Sequence, residues 1–282
     1  MGGGPGHLQP RRHAAPAHQR RGDPAGGGAR RDHPRRHGRG VSLRRRGAKV
    51  AVAPDAPPFA LAPRLEAELQ ARVRLGLVRA EPVSIGPAGP ALQGAIGEAC
   101  GSLARQHAGR PPSEIPGLAA ARDLYRAFGI DPTRTRPSSE ALLRRVLQGK
   151  PFPAILNAVD VCNLCALLFL LPIGLYDAHR VRGAVCLRRG RPGETYQGIR
   201  KDVVHLEGRP VLADEEGPFG NPTSDSLRTC VTATTRSLWM VIFAPASSPR
   251  APLEGYVRHA RDTCARHLGP PGTNVATSGE VL

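Results

Sequence analysis

Ala154-Ile155-Leu156-Asn157-Ala158-Val159-Asp160-Val161-Cys162-Asn163-Leu164-Cys165-Ala166-Leu167-Leu168-Phe169-Leu170-Leu171-Pro172 is the stretch on which the fold turns. Read quickly it is a membrane span. Asn157, Asp160, Asn163 and Pro172 argue otherwise, since a carboxylate at the bilayer centre costs about 3 kcal/mol. Its uninterrupted apolar part, Leu164 to Leu171, is far shorter than the ~20 residues a span requires. The spacing predicts a helix buried within a protein, over about 156–171, stopped by Pro172.

Upstream of it the periodicity is helical. Leu65, Leu69, Val73 and Leu77 predict a helix over Leu61 to Leu77. Ile96, Cys100 and Leu103 predict a second over Ala91 to His107, and Ile115 to Phe128 a third, closed by Gly129. Pro137-Ser138-Ser139-Glu140 opens a fourth, with a serine expected to cap its first turn and Gly149 to end it. Val50-Ala51-Val52 reads as a short strand.

Downstream the period changes to two. Ala184–Leu187, Val203–Leu206, Val211–Ala213, Thr229–Thr232 and Leu238–Phe243 are predicted strands, separated by Gly and Pro clusters. A closing helix follows over Pro252 to Leu268, and 269–282 reads as a frayed tail. Helices first and strands second make the expected class α+β rather than a doubly wound sheet. The expected organisation is a basic tail (1–48), a helical region packing on the core (49–116), a main domain (117–268) and a second tail (269–282).

The chain has 282 residues, 40% hydrophobic but only 4% aromatic, so its core must rest on Leu, Val and Ala. The net charge of +17 is concentrated at the start. Residues 1–49 hold thirteen Lys/Arg against Asp23 and Asp32. That segment reads as a basic arm gripping RNA phosphate, as a tail too polar to bury a core, or as a mis-assigned start upstream of the true one. No apolar leader precedes Cys100, Cys162, Cys165, Cys186, Cys230 and Cys264, so free thiols in a reducing cytoplasm are expected. Cys162-x-x-Cys165 raises a redox or zinc reading. It has no second pair or suitably spaced His, and its apolar helix favours inert packing. No metal and no cofactor are expected, and no phosphate-binding loop or serine elbow is present.

Asp160-Val161-Cys162-Asn163, followed by Pro172-Ile173-Gly174-Leu175-Tyr176-Asp177, is similar to a segment of a known family. There Asp-x-Thr-Asn-Tyr precedes Gln-Pro-x-His-Ala-Phe-Asp with the same step from Asn to the last Asp. Val181-Arg182-Gly183 and Val185–Gly190 resemble the family's next strand, with a turn ending at Gly193-Glu194. Val211-Leu212-Ala213-Asp214-Glu215-Glu216-Gly217-Pro218 resembles its Ile-Ala-Asp-Asp-Glu-Gly-Pro, and Val231-Thr232 with Thr235 its Val-Thr-x-x-Thr. Over about 130 of the 282 residues the chain resembles the B3/B4 editing domain of the phenylalanyl-tRNA synthetase beta subunit. No ATP-binding catalytic core is visible.

The resemblance implies a β-sandwich of unusual topology with flanking helices, and aminoacyl-tRNA as partner, with no DNA and no membrane. It implies trans-editing hydrolysis of a mischarged, aromatic or similar, aminoacyl-tRNA. The alternative is a non-catalytic tRNA or amino-acid binding module. Apolar pockets separate two amino acids differing by one hydroxyl poorly, which is why a second site is useful. By resemblance Asn163 and Glu216 are the candidate catalytic residues, Asn163 holding a water or the ester carbonyl and Glu216 accepting a substrate hydroxyl. Glu216 reads equally as an exposed turn acid. The family's Thr is Cys162 here and its His is Gly174, which would remove a proton carrier and enlarge the pocket. Cys162, Gly174, Asp225 and Arg228 are expected to bind substrate, although Asp225 and Arg228 could equally form a surface ion pair. Asp177 reads as a loop anchor. Arg134, Arg136, Arg144 and Arg145 are the candidate RNA contacts.

Overall fold

The computed structural model describes residues 63–200 and 203–282. The basic tail and the strand expected at Val50–Val52 lie outside the described residues. In chain order come β1 (Arg64–Leu65), α1 (Ala67–Gln70), β2 (Val73–Glu81), α2 (Pro90–Gln106), α3 (Leu118–Ala127), α4 (Ser138–Leu147), α5 (Asn157–Phe169) and β3 (Ile173–Asp177). Then follow β4 (Cys186–Arg189), β5 (Thr195–Gln197), β6 (Val203–His205), β7 (Pro210–Asp214), β8 (Gly217–Asn221), β9 (Ser224–Asp225), β10 (Leu238–Pro245), α6 (Arg250–His267) and β11 (Ala276–Val281). The class is α+β. One sheet runs β1-β4-β7-β8-β9, a second β11-β2-β10-β3, and β5 and β6 form a small hairpin.

The two larger sheets enclose an apolar layer. Trp239, Val241 and Phe243 of β10, Leu75 and Leu77 of β2 and Tyr176 of β3 meet Leu187, Leu212 and Phe219 of the other sheet. The alternate residues of the same strands, Val78, Ala80, Met240, Ile242 and Leu175, face α5 and α6 on the opposite side. β10 is therefore buried along its whole length, which its unbroken apolar sequence Leu238-Trp239-Met240-Val241-Ile242-Phe243 requires. α6 lies close over β2 and β11 because Gly76 and Gly279 carry no side chain. A Cβ at either would stand 2.9 Å or 2.5 Å from Val257.

The long stretch read from the sequence is the buried helix α5. It ends at Leu170, whose φ of 55° is left-handed, two residues before Pro172. Among the described residues no helix is long and apolar enough to cross a membrane.

Four expectations need correction. Among the described residues the helix expected over Leu61 to Leu77 shrinks to the single turn α1, and Val73–Glu81 is instead strand β2, paired with β10 on one side and β11 on the other. Leu65, Leu69, Val73 and Leu77 are spaced by four, a step that keeps residues on one face of a strand as well as of a helix. Residues 276–281 are not a frayed tail but edge strand β11, held by backbone pairing to β2, which an exposed polar sequence does not announce. Thr229–Thr232 is irregular rather than a strand. The first turn of α4 has no side-chain cap; Ser139 is buried and its hydroxyl has no partner among the described residues.

Candidate functional site

The segment carrying the resemblance runs along α5, turns at Pro172 and returns as β3. Cys162 is buried on α5, with its thiol 3.9 Å from the Ile173 carbonyl oxygen. Burial, reinforced by the negative charge of Asp225, pushes that thiol far above the ordinary range. Cys165 is raised likewise by burial. Neither is a nucleophile at neutral pH. Among the described residues no group of His, Cys, Asp and Glu is placed to hold a metal.

Tyr176 decides what lies beside Gly174. Its ring is fully buried against Phe219 and Trp239, with centroids 5.0 Å and 6.0 Å away. A Cβ placed on Gly174, or on Gly220 of β8, would come within 2.1 Å of the Tyr176 hydroxyl. The space over Gly174 is thus not an enlarged pocket, because the chain's own phenol fills it. That hydroxyl donates to Asp225 Oδ1 at 2.8 Å, and the Leu175 N–H donates to Oδ2 at 3.2 Å. Asp225 as a residue is half-buried, but its carboxyl end is crowded by protein. Burial therefore pushes it up to about 7, against the opposing effect of the two hydrogen bonds.

Asp225 and Arg228 do not pair with each other. Arg228 grips Asp214 through two nitrogens, at 2.8 and 3.0 Å, and reaches Glu216 Oε2 at 3.1 Å. Asp214 is the hub of this turn, and the sequence reading missed it. Its carboxylate also accepts the N–H groups of Arg182, Glu216 and Gly217. Glu216 is the exposed turn acid, its side chain 52% accessible, with Arg182 a further 3.7 Å neighbour.

Glu216 is paired with Arg228 and Arg182, and Asn163 is not among its partners in the described residues. Asn163 is half-buried on α5, and its side-chain amide makes no hydrogen bond to a described residue. Glu216 precedes the first residue of β8, whereas Asp225 pairs with Gly220 near its other end. Four residue steps separate Glu216 from Gly220, about 13 Å along an extended strand. Asp177 does anchor its loop, accepting the His179 N–H at 3.0 Å and the Thr235 hydroxyl at 2.6 Å.

Comparison with known proteins bears on the same segments. The family model described as "B3/4 domain" matches residues 120–250, which span α3 to the start of α6. Residues 120–250 are a B3/4 domain. Relatives include the phenylalanine–tRNA ligase beta subunit of Paramagnetospirillum magneticum, 39% identical over 61 residues, which is 21% of this chain and 8% of the relative. That of Streptomyces avermitilis is 32% identical over 93 residues, 33% of this chain and 11% of the relative. The matched stretches thus span about a tenth of those relatives. An N-terminal fragment of the phenylalanyl-tRNA synthetase beta subunit from Pyrococcus horikoshii aligns over 77% of this chain and 49% of its own length. Its 12% identity and TM-score of 0.36 are too low to support any argument.

Within the B3/4 domain the four arginines considered for RNA have different duties. Arg144 donates to Glu140 at 2.8 Å and Arg136 lies 3.7 Å from it, so both serve an internal carboxylate. Arg122, which the sequence reading did not single out, grips Glu140 through two bonds of 2.8 Å. Arg145 is exposed and donates to the Pro151 carbonyl at 2.9 Å. Arg134 is the freest of the four, its side chain 89% accessible with Asp131 at 3.9 Å.

Proposed function

We propose that this protein recognises aminoacyl-tRNA through its B3/4 domain. The observation that carries this reading is the family match over 120–250, joined to the chain's partial likeness to beta subunits of phenylalanine–tRNA ligases. Two continuations of recognition differ in chemistry. In the first, the domain hydrolyses a mischarged aminoacyl ester in trans. Asn163 favours it, since a half-buried amide without a side-chain partner among the described residues can offer both a donor and an acceptor to a water or an ester carbonyl.

The second continuation is recognition without hydrolysis, and three features support it better. Tyr176 occupies the volume beside Gly174. Glu216 is engaged by Arg228 and Arg182. Asp225 is held by Tyr176 and Leu175. We therefore favour a module that binds a charged tRNA without cleaving it. Two measurements separate the readings: titration of the protein with charged and uncharged tRNA, and release of amino acid from a panel of mischarged tRNAs. Binding that prefers charged tRNA, with release at the no-protein rate, is the expected result. Release well above that rate, abolished in Asn163→Ala, would establish the hydrolase instead. A flat titration for both tRNA forms would reject recognition altogether.

A further inference from the structure

Beside the start of α5, at the first residue of the Asp160–Asn163 motif, lies a hollow of about 350 Å³. Pro87, Ile96, Phe152, Pro153 and Ile155 line it together with Asp160. The walls are fastened before anything binds. Asn157 ties the first turn of α5 to the loop ahead of α2, accepting the Gly86 N–H at 3.1 Å and donating to the Ser84 carbonyl at 2.8 Å. The Asn157 N–H bonds the Gly86 carbonyl at 2.7 Å. Gln93 donates to the Ala88 carbonyl at 2.8 Å, and Arg145 holds Pro151. Such a preformed concavity loses little ordering entropy on binding.

Asp160 is the polar exception within it. Only 1% of the residue is accessible, yet just one carboxylate oxygen has a partner, Oδ1 receiving the Ile155 N–H at 3.0 Å. Oδ2 has no hydrogen bond to a described residue, and no Lys, Arg or His lines the hollow. Burial raises the carboxyl against the opposing Ile155 bond, which is the signature of a negative charge without a cationic partner. At the rim Ile155 is 62% exposed, an apolar side chain left without cover. A buried carboxylate wants a donor, preferably a charged one, and apolar walls want an apolar body.

We infer that this hollow is a binding site for a small organic ammonium carried on an apolar body, its N–H groups meeting Asp160 and its hydrocarbon lying between Pro87, Phe152 and Ile155. The site stands apart from the proposed tRNA function. Benzylammonium is a suitable probe, with benzyl alcohol as the neutral partner of nearly equal shape. Titrated into the full chain and followed by NMR shifts or calorimetry, benzylammonium is expected to bind at millimolar concentration, about tenfold tighter than the alcohol. Asp160→Asn keeps an acceptor for the Ile155 N–H and should weaken the ammonium about tenfold while leaving the alcohol unchanged. Ala154→Trp alters an exposed lining residue, fills the hollow without touching the carboxylate, and should abolish binding of both. Equal affinity for amine and alcohol, amine binding that survives Ala154→Trp, or no binding at millimolar concentration would each overturn the inference.

Discussion

Glu140 and Asp225 are two carboxylates held inside one chain, and they are held in opposite ways. Glu140 sits between α3 and α4, its side chain 1% accessible, with Arg122, Arg144 and Arg136 around it. Burial pushes its carboxyl up, but the hydrogen bonds from Arg122 and Arg144 more than reverse this and leave it below the ordinary range. Asp225, between the sheets' ends, has a phenol and a backbone N–H for company, and there burial wins, lifting it to about 7. Neutral donors do not offset desolvation where cations do. The helical region therefore spends its charges on architecture. The region around β3 and β9 keeps an acid poised near neutrality, the kind of group that sites for chemistry or recognition employ.

The comparison breaks first at Glu140. Glu140→Ala would leave three arginines facing one another, and losing one partner of a buried ion pair costs about 3–5 kcal/mol. Because the arginines are themselves partly accessible, a loss near the lower end, about 3 kcal/mol, is expected in urea denaturation. A loss under about 1 kcal/mol would mean that the cluster is a solvated surface group.

Opposite pH limbs are the second expectation. Glu140, depressed when folded, adds stability that is present above its unfolded value near 4.3 and fades as pH falls below it. Asp225 behaves in reverse. Between about 4 and 7 the unfolded chain has lost this proton and the folded chain keeps it, so stability falls as pH rises through that window. Keeping the proton up to about 7 would be worth at most about 4 kcal/mol, and the residue's partial exposure reduces the expectation to about 2 kcal/mol. Asp225→Asn should flatten the limb between pH 4 and 7 and leave the acid limb in place. An unchanged slope would show that Asp225 titrates normally.

The two regions were also unequally legible in the sequence. Helices α2, α4 and α6 and the core strand β10 follow from apolar periodicity, since α4, α6 and β10 bury a stripe or run and α2 half-buries one. β2 did not, because a four-residue step suits both periods, and β11 did not, because backbone pairing holds it. Around the site, the identity of Gly174 suggested a void. Only coordinates show that Tyr176, two residues along the same strand, folds its ring over it and over Gly220, a residue forty-six positions away. Asp214 and Glu140 stood in quoted motifs without roles, since their arginine partners arrive from other elements.

Tyr176→Phe is a smaller and sharper probe of the neutral-donor side. It removes one hydroxyl from Asp225 and keeps the ring that fills the space beside Gly174. Loss of a single buried hydrogen bond is worth about 1 kcal/mol. The same change withdraws a stabilising contact from the carboxylate, so the midpoint of the Asp225 limb should move above 7. Stability lost without any movement of that midpoint would assign Tyr176 to packing alone.

The smallest expected effect lies at Glu216, and it separates the two regions from a third kind of acid. Its side chain is 52% accessible and its partners Arg228 and Arg182 are reached from the surface of a turn. Exposed ion pairs contribute about 0.2–1 kcal/mol, and Arg228 retains its two bonds to the fully enclosed Asp214 side chain whether or not Glu216 is charged. Glu216→Gln should therefore cost under about 0.5 kcal/mol, while Asp214→Asn, which weakens a charge-assisted pair and disturbs three backbone N–H contacts, should cost several times more. If Glu216→Gln instead abolishes preference for charged tRNA while leaving stability untouched, the turn acid is a recognition group, and the distance along β8 that separates it from Asp225 is bridged by the ligand rather than by the protein.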